Sequence, residues 1–144
     1  MLRHWIQHIA LNAARPPGCE LTSALVGRDV VQHFAAVDQA AETLSAMLEL
    51  YWRGLSLPLE FFPETSLAFV EAELKQRRGE ARKEPLLAAL QVWEGDSFGH
   101  TRAEKEDGYF DLCFRNAEPL NAEFEQTARA VFGLLLDHMK DENP

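Results

Sequence analysis

Leu2, Trp5, Ile6, Ile9 and Ala13 recur at helical spacing, so the chain opens on a helix with one buried stripe, stopped at Arg15-Pro16-Pro17-Gly18. Glu20 to Val26 and Val30 to Val37 are short and rich in Val, Leu and Thr, which predicts two strands joined into a hairpin by a tight turn through Gly27. Asp38 is placed to cap a second helix. Its buried stripe would be Leu44, Met47, Leu48, Tyr51 and Leu55, and Gly54 suits a left-handed helix end. Pro58 and Pro63 bracket the apolar run Leu59 to Phe62, a stiff connector that has to pack on something. Thr65 or Ser66 would cap a third helix from about Ser66 to Gln76, with Leu67, Val70 and Leu74 inward and Gly79 as its breaker. Pro85 fits the first turn of a fourth helix lined by Leu86, Leu90 and Trp93. Periodicity fails from Glu94 to Gly108, which predicts a long loop. Tyr109 to Phe114 fits either a helical turn or a strand. Phe124, Ala128, Val131, Phe132, Leu135 and Met139 describe a strong closing helix, after which Asp141 to Pro144 should fray.

The pattern predicts a helix-rich α+β fold, a small β-hairpin or sheet packed on five or six helices, because so small a sheet cannot stand alone. The length of 144 residues fits a single domain over 1–144 with one core. No run of eighteen apolar residues occurs, which predicts no membrane span. Leu2 to Leu11 carries Arg3, His4, Gln7 and His8 inside its apolar pattern and is not a signal peptide. Cys19 and Cys113 follow no metal-ligand spacing and read as two free thiols of a cytoplasmic protein, with Cys113, between Leu112 and Phe114, expected to be buried and inert.

Charge changes the picture further. The formal net charge of -9 opposes independent binding to a duplex, whose affinity comes largely from cations meeting phosphates. The local exception is Lys75, Arg77, Arg78, Arg82 and Lys83, interleaved with Glu73, Glu80 and Glu84. That segment reads as a solvated helix end and turn, or as phosphate-contacting residues within a larger assembly.

Tyr51 to Phe69, YWRGLSLPLEFFPETSLAF, carries a family resemblance. It is similar to a block in RecC, the gamma subunit of bacterial exodeoxyribonuclease V. There a helix, a Gly-Leu, a Pro-Leu-x-Phe-Phe-Pro run and a Ser-Leu-Ala helix follow in that order. Leu2 to Leu11 resembles the helix before two short strands in that family's last domain. Phe114-Arg115, Pro119-Leu120 and the final helix resemble its carboxy-terminal end. The resemblance implies a C-terminal piece of a longer subunit of an ATP-dependent helicase-nuclease for double-strand break repair and recombination. Its implied partners are the complex's two helicase subunits, with DNA met only through the assembly.

The family's last domain resembles the PD-(D/E)xK restriction-endonuclease-like fold, in which paired acids hold a divalent metal and a lysine serves the attacking water. Asp29 is the first candidate acid, but the second strand, Val30 to Val37, has no acid and no lysine, and Asp38 lies beyond it. The expectation is therefore an inactive, degenerate nuclease-like domain without catalytic residues, metal or cofactor. Its role would be structural docking, through Trp52, Leu59, Phe61 and Phe62. One rival is a divergent metal nuclease that assembles Asp29 with Glu94, Asp96 or Asp111 and with Lys83 or Lys105. Another is an unrelated helical interaction domain. His4 and His8 share a helix face but lack a third ligand. Asp107 and Asp111, four apart, are either a carboxylate pair or solvated acids near a helix N-terminus. No nucleotide-binding motif occurs.

Overall fold

The computed structural model describes residues 1–80, 83–95 and 102–142, the last two, Asp141 and Glu142, for their backbone only. These residues form helices α1 (Leu2–Ala14), α2 (Ala40–Gly54), α3 (Pro63–Arg77), α4 (Pro85–Glu94), α5 (Gly108–Phe114) and α6 (Ala122–His138), with a 3-10 turn at Glu104–Glu106. Strands β1 (Ser23–Val26), β2 (Val31–Phe34) and β3 (Met139–Glu142) complete the α+β, helix-rich fold. The chain divides into two compact units: Met1–Leu55 with Leu134–Pro144, and Ser56–Gly133.

In the first unit the sheet has the order β1-β2-β3, antiparallel throughout. Val26 pairs with Val31, and the Gly27 N–H donates to the Val30 carbonyl at 2.9 Å, so the hairpin turns where the sequence places it. The third strand was not expected. Met139 pairs with Phe34 and Glu142 with Val31, so Met139, Asp141 and Glu142 are strand residues, and Asp141 and Glu142 pair where fraying was predicted; Asn143 and Pro144 lie outside the described residues. The ladder to β2 decides this. The Ala35 N–H donating to the His138 carbonyl at 3.1 Å carries the same pairing past the end of β2.

Helix α1 buries Trp5, His8, Ile9 and Asn12, a stripe at helical spacing that includes two polar residues. Asn12 is fully buried and ties three segments together. Its amide group donates to the carbonyls of His8 and Leu21, both at 2.9 Å, while its oxygen accepts the Val37 N–H at 2.9 Å. The buried Val37 N–H and the partly buried Leu21 carbonyl, on opposite sides of the hairpin, are thus satisfied by one side chain. Helix α2 starts one residue later than a cap at Asp38 requires. Gln39 is its N-cap and makes no side-chain capping bond, and the Asp38 carbonyl instead faces Arg15 at 3.5 Å. Gly54 does not adopt the left-handed conformation. The helix ends through Leu55 in right-handed geometry, its N–H donating to the Tyr51 carbonyl at 3.1 Å.

The second unit is organised around Phe62. Its ring lies 4.4 Å from Trp93, 5.0 Å from Phe110, 5.2 Å from Phe114 and 6.1 Å from Phe124, centroid to centroid. The contacts to Phe110 and Phe114 are edge-to-face, a favoured aromatic geometry. Helix α3 begins at Pro63, three residues before the sequence reading has it. Proline is tolerated at the first helical position because its missing N–H has no intrahelical partner there anyway. Thr65 and Ser66 are therefore buried first-turn residues rather than caps, although the Ser66 hydroxyl accepts the Phe62 N–H at 3.3 Å. The α3 N-terminus is held from a distance. The two carboxylate oxygens of Glu104 accept the N–H groups of Glu64 and Thr65 at 3.0 and 2.7 Å. After Arg77 the chain turns through Gly79 at φ 72°, a left-handed conformation that glycine adopts without strain.

Helix α4 buries Ala88, Ala89 and Trp93, whereas Leu90, expected inward, is exposed. The ambiguous segment at Tyr109 is helix α5, with Asp107 as its N-cap accepting the Tyr109 N–H at 2.9 Å. Helix α6 buries Phe124, Ala128 and Phe132 as its periodicity requires.

Candidate functional site

The nuclease-like candidates in the first unit fall on the hairpin. Asp29 sits at the exposed turn, 3.8 Å from Arg28, an ion pair too solvated to hold much. Strand β2 reads Val31-Gln32-His33-Phe34, without acid or lysine, and β3 sets the backbone of Lys140 and Asp141 opposite His33 and Gln32.

His4 and His8 do share a face, and both reach the hydroxyl of Ser23. His8 Nδ1 lies 2.8 Å and His4 Nε2 3.1 Å from Ser23 Oγ, and His8 Nε2 lies 2.9 Å from the Ala35 carbonyl. A carbonyl only accepts, so His8 carries its proton on Nε2, and Nδ1 accepts from Ser23. Ser23 then accepts from His4. The result is a one-way chain of hydrogen bonds joining α1 to β1 and to the end of β2. Burial holds the His8 imidazole below its ordinary pKa, opposed by the bond to Ala35 and assisted by the neighbouring His4 and His138.

Several of the candidate acids and bases of the second unit already have partners. Lys105 bonds Glu94, Lys83 bonds Gln91, and Arg115 grips Asp111 through Nε at 3.1 and 3.2 Å and also through its terminal nitrogen. The hydrogen bond from Arg115 holds the Asp111 carboxyl below the usual carboxylate range. Asp107 is occupied as a helix cap, so Asp107 and Asp111 act separately. Asp96 lies outside the described residues. Among the described residues no group of three His, Cys, Asp or Glu side chains could hold a metal ion. A cleft of about 550 Å³ lies between α4 and α5, with Trp93, Phe110 and Phe114 on its wall and both ion pairs at its edge. Cys19 and Cys113 are free and exposed. Burial was expected for Cys113, but α5 directs Phe110 and Phe114 toward Phe62 and leaves Cys113 with Leu112 on its outer side.

The connector residues separate by role. Phe62 is fully buried, so it anchors the core and is not available for docking, contrary to expectation. Phe61 is partly exposed and stacks on Phe132 at 5.8 Å, and Leu59 is partly exposed. In the first unit Trp52 is exposed. The stripe beside it is exposed too. Leu48, Tyr51, Trp52 and Leu55 have relative exposures of 51, 60, 67 and 59%. The inward face of α2 is instead Ala40 and Thr43, with Leu44, Met47 and Leu50 partly covered. The predicted buried stripe was therefore rotated: periodicity locates an apolar face but does not say which neighbour covers it.

The basic segment is mostly helix end. Lys75 and Arg77 occupy the last turn of α3, where the helix dipole favours cations, and Arg77 lies 3.5 Å from Glu73. Arg78 caps the helix, Lys83 is exposed, and Arg82 lies outside the described residues. An arginine that the sequence did not single out is more firmly held. Arg129 bonds Glu73 at 2.9 Å and Glu125 at 2.8 Å and lies 5.0 Å over the Phe69 ring.

Residues 1–74, just over half of the chain, match the family described as the RecC C-terminal domain. The matched span covers the first helix, the hairpin, α2 and most of α3. No curated protein matches the chain. Among the described residues no helix is long and apolar enough to cross a membrane.

Proposed function

Since the chain belongs to the RecC C-terminal domain family, we propose that it is a non-catalytic docking domain of the helicase-nuclease exodeoxyribonuclease V. The RecC family is part of that complex, which serves DNA repair and recombination. The observation that carries the docking reading is the exposed row Leu48, Tyr51, Trp52 and Leu55. A cluster of large apolar side chains facing water on one helix is characteristic of a surface that meets another protein. In this reading the partners are the two helicase subunits, and the domain acts in the cytoplasm. Leu59 and Phe61 supply further apolar contact.

The same reading makes the domain a nuclease-like scaffold without its metal ligands. It is supported by a second strand that lacks the acid-x-lysine set and by acids already committed to Lys105, Arg115 and a helix cap. DNA would be met only through the assembly, with Lys75, Arg77, Arg78, Arg82 and Lys83 as the candidate contacts to phosphate. The test is co-purification with the two helicase subunits, using the wild-type chain and Trp52→Ala. Retention of the wild type and loss of the variant supports docking; equal retention of both contradicts it. A magnesium-dependent nuclease assay on single- and double-stranded DNA tests the second element, and cleavage by the purified chain would overturn it.

A further inference from the structure

The exposed face of α2 has a finer pattern than an apolar patch. Ala41, Ser45, Leu48, Trp52 and Leu55 are all exposed and follow one another at intervals of four, three, four and three residues. That is the alternating spacing of the two core positions of a heptad seam, sustained over two heptads. Glu42 and Glu49 then fall at the same flanking position of each heptad, immediately after the core residues Ala41 and Leu48. Both are exposed, and neither makes an ion pair among the described residues. The opposite flank is apolar, with Leu44 and Tyr51. Helix α2 covers its other side with Ala40 and Thr43, so the seam is not needed to fold the first unit.

Resting on the docking reading above, we propose that this seam seats one amphipathic helix of a helicase subunit, paired as in a two-stranded coiled coil. The occupant carries lysine or arginine at the positions that meet Glu42 and Glu49. Three features specify it. Heptad spacing selects a helix, because the knobs of one seam fill holes only in a partner with the same period. The small side chains Ala41 and Ser45 allow close approach at one end, and Trp52 and Leu55 give a bulky end, so the occupant has large apolar residues opposite the first and smaller ones opposite the second. The acid row requires compensation, since carboxylates desolvated without a partner oppose association. A second copy of this chain fits poorly. Antiparallel self-pairing sets the acid row against itself, and parallel self-pairing sets it against Leu44 and Tyr51, which offer no cation.

The experiment uses the chain co-expressed with both helicase subunits. A photo-crosslinking residue, p-benzoylphenylalanine, replaces Ser45 or Leu48, and the linked peptides are identified by mass spectrometry. Both positions are expected to link to a single helix with apolar residues at heptad spacing and basic residues on one flank. The double variant Glu42→Lys with Glu49→Lys should weaken co-purification by about tenfold or more, and converting the identified bases to glutamate should restore it. Links to a loop, a strand edge, an acidic helix or a second copy of the chain overturn the proposal, as does a double variant that binds normally. If Trp52→Ala abolishes co-purification while the links map elsewhere, docking stands and the coiled-coil occupant falls. If Trp52→Ala has no effect, the docking reading itself fails.

Discussion

Replacing Asn12 by alanine removes a side chain that reaches both flanks of the hairpin in the first unit. The Val37 N–H, which is buried with Asn12 Oδ1, loses its acceptor. An orphaned buried donor costs about 1–3 kcal/mol. The Leu21 carbonyl is partly exposed and can turn to water, so losing the Asn12 amide costs about 0.5–1.5 kcal/mol. The bond to the His8 carbonyl is local to α1 and adds little. The sum is about 1.5–4.5 kcal/mol, a large fraction of the stability of a small unit. Aspartate is not a rescue. It keeps an acceptor for Val37 but turns a carboxylate oxygen toward the two carbonyls that the amide satisfied. Urea unfolding of wild type and Asn12→Ala measures the loss, and hydrogen exchange at the Val37 amide locates it. A variant within about 0.5 kcal/mol of wild type, with Val37 still protected, would refute the bridging role.

Three further perturbations separate the remaining contacts. Glu104→Ala removes the carboxylate from the α3 N-terminus, which should cost about 1 kcal/mol and shift the Glu64 and Thr65 amide resonances most. Phe62→Ala leaves Trp93, Phe110, Phe114 and Phe124 around a cavity and should cost about 3–5 kcal/mol in thermal or urea unfolding. The His8 imidazole has its pKa lowered by folding, so the unfolded chain takes up the proton first as pH falls. Its contribution is complete above the ordinary value of about 6.5 and declines as pH falls from there toward the depressed folded value. Urea midpoints should therefore drop between neutral and mildly acidic pH, and His8→Gln should flatten that slope.

Much of this fold is legible in local chemistry. The stop at Arg15-Pro16, the hairpin at Gly27, the start at Pro85 and the long closing helix each follow from signals within a few residues. What the sequence hides is long-range. Met139 continues the periodicity of the closing helix and Asp141 begins the expected fraying tail, yet Met139 to Glu142 becomes a strand because β2 offers it an edge. Glu104 caps a helix whose start lies forty residues away, and no local pattern announces that bond. Phe61 and Phe62 are identical in the sequence, yet one stacks at the edge of the core and the other sits at its centre. The α2 seam shows the same limit. Leu48, Tyr51 and Leu55 were readable as part of an apolar stripe, but their exposure could be learned only by seeing Ala40 and Thr43 turned inward. Nothing short of that burial pattern distinguishes a core face from a docking face.

The central claim is that the apolar row on α2 serves assembly rather than folding. Its most direct measurement is on Trp52→Ala, taken through two assays: urea unfolding of the isolated chain and co-purification with the helicase subunits. At 67% exposure the side chain should contribute little to folding, so stability should stay within about 0.5 kcal/mol while recovery of the complex collapses. A variant that unfolds readily, or one that assembles as well as wild type, contradicts the account.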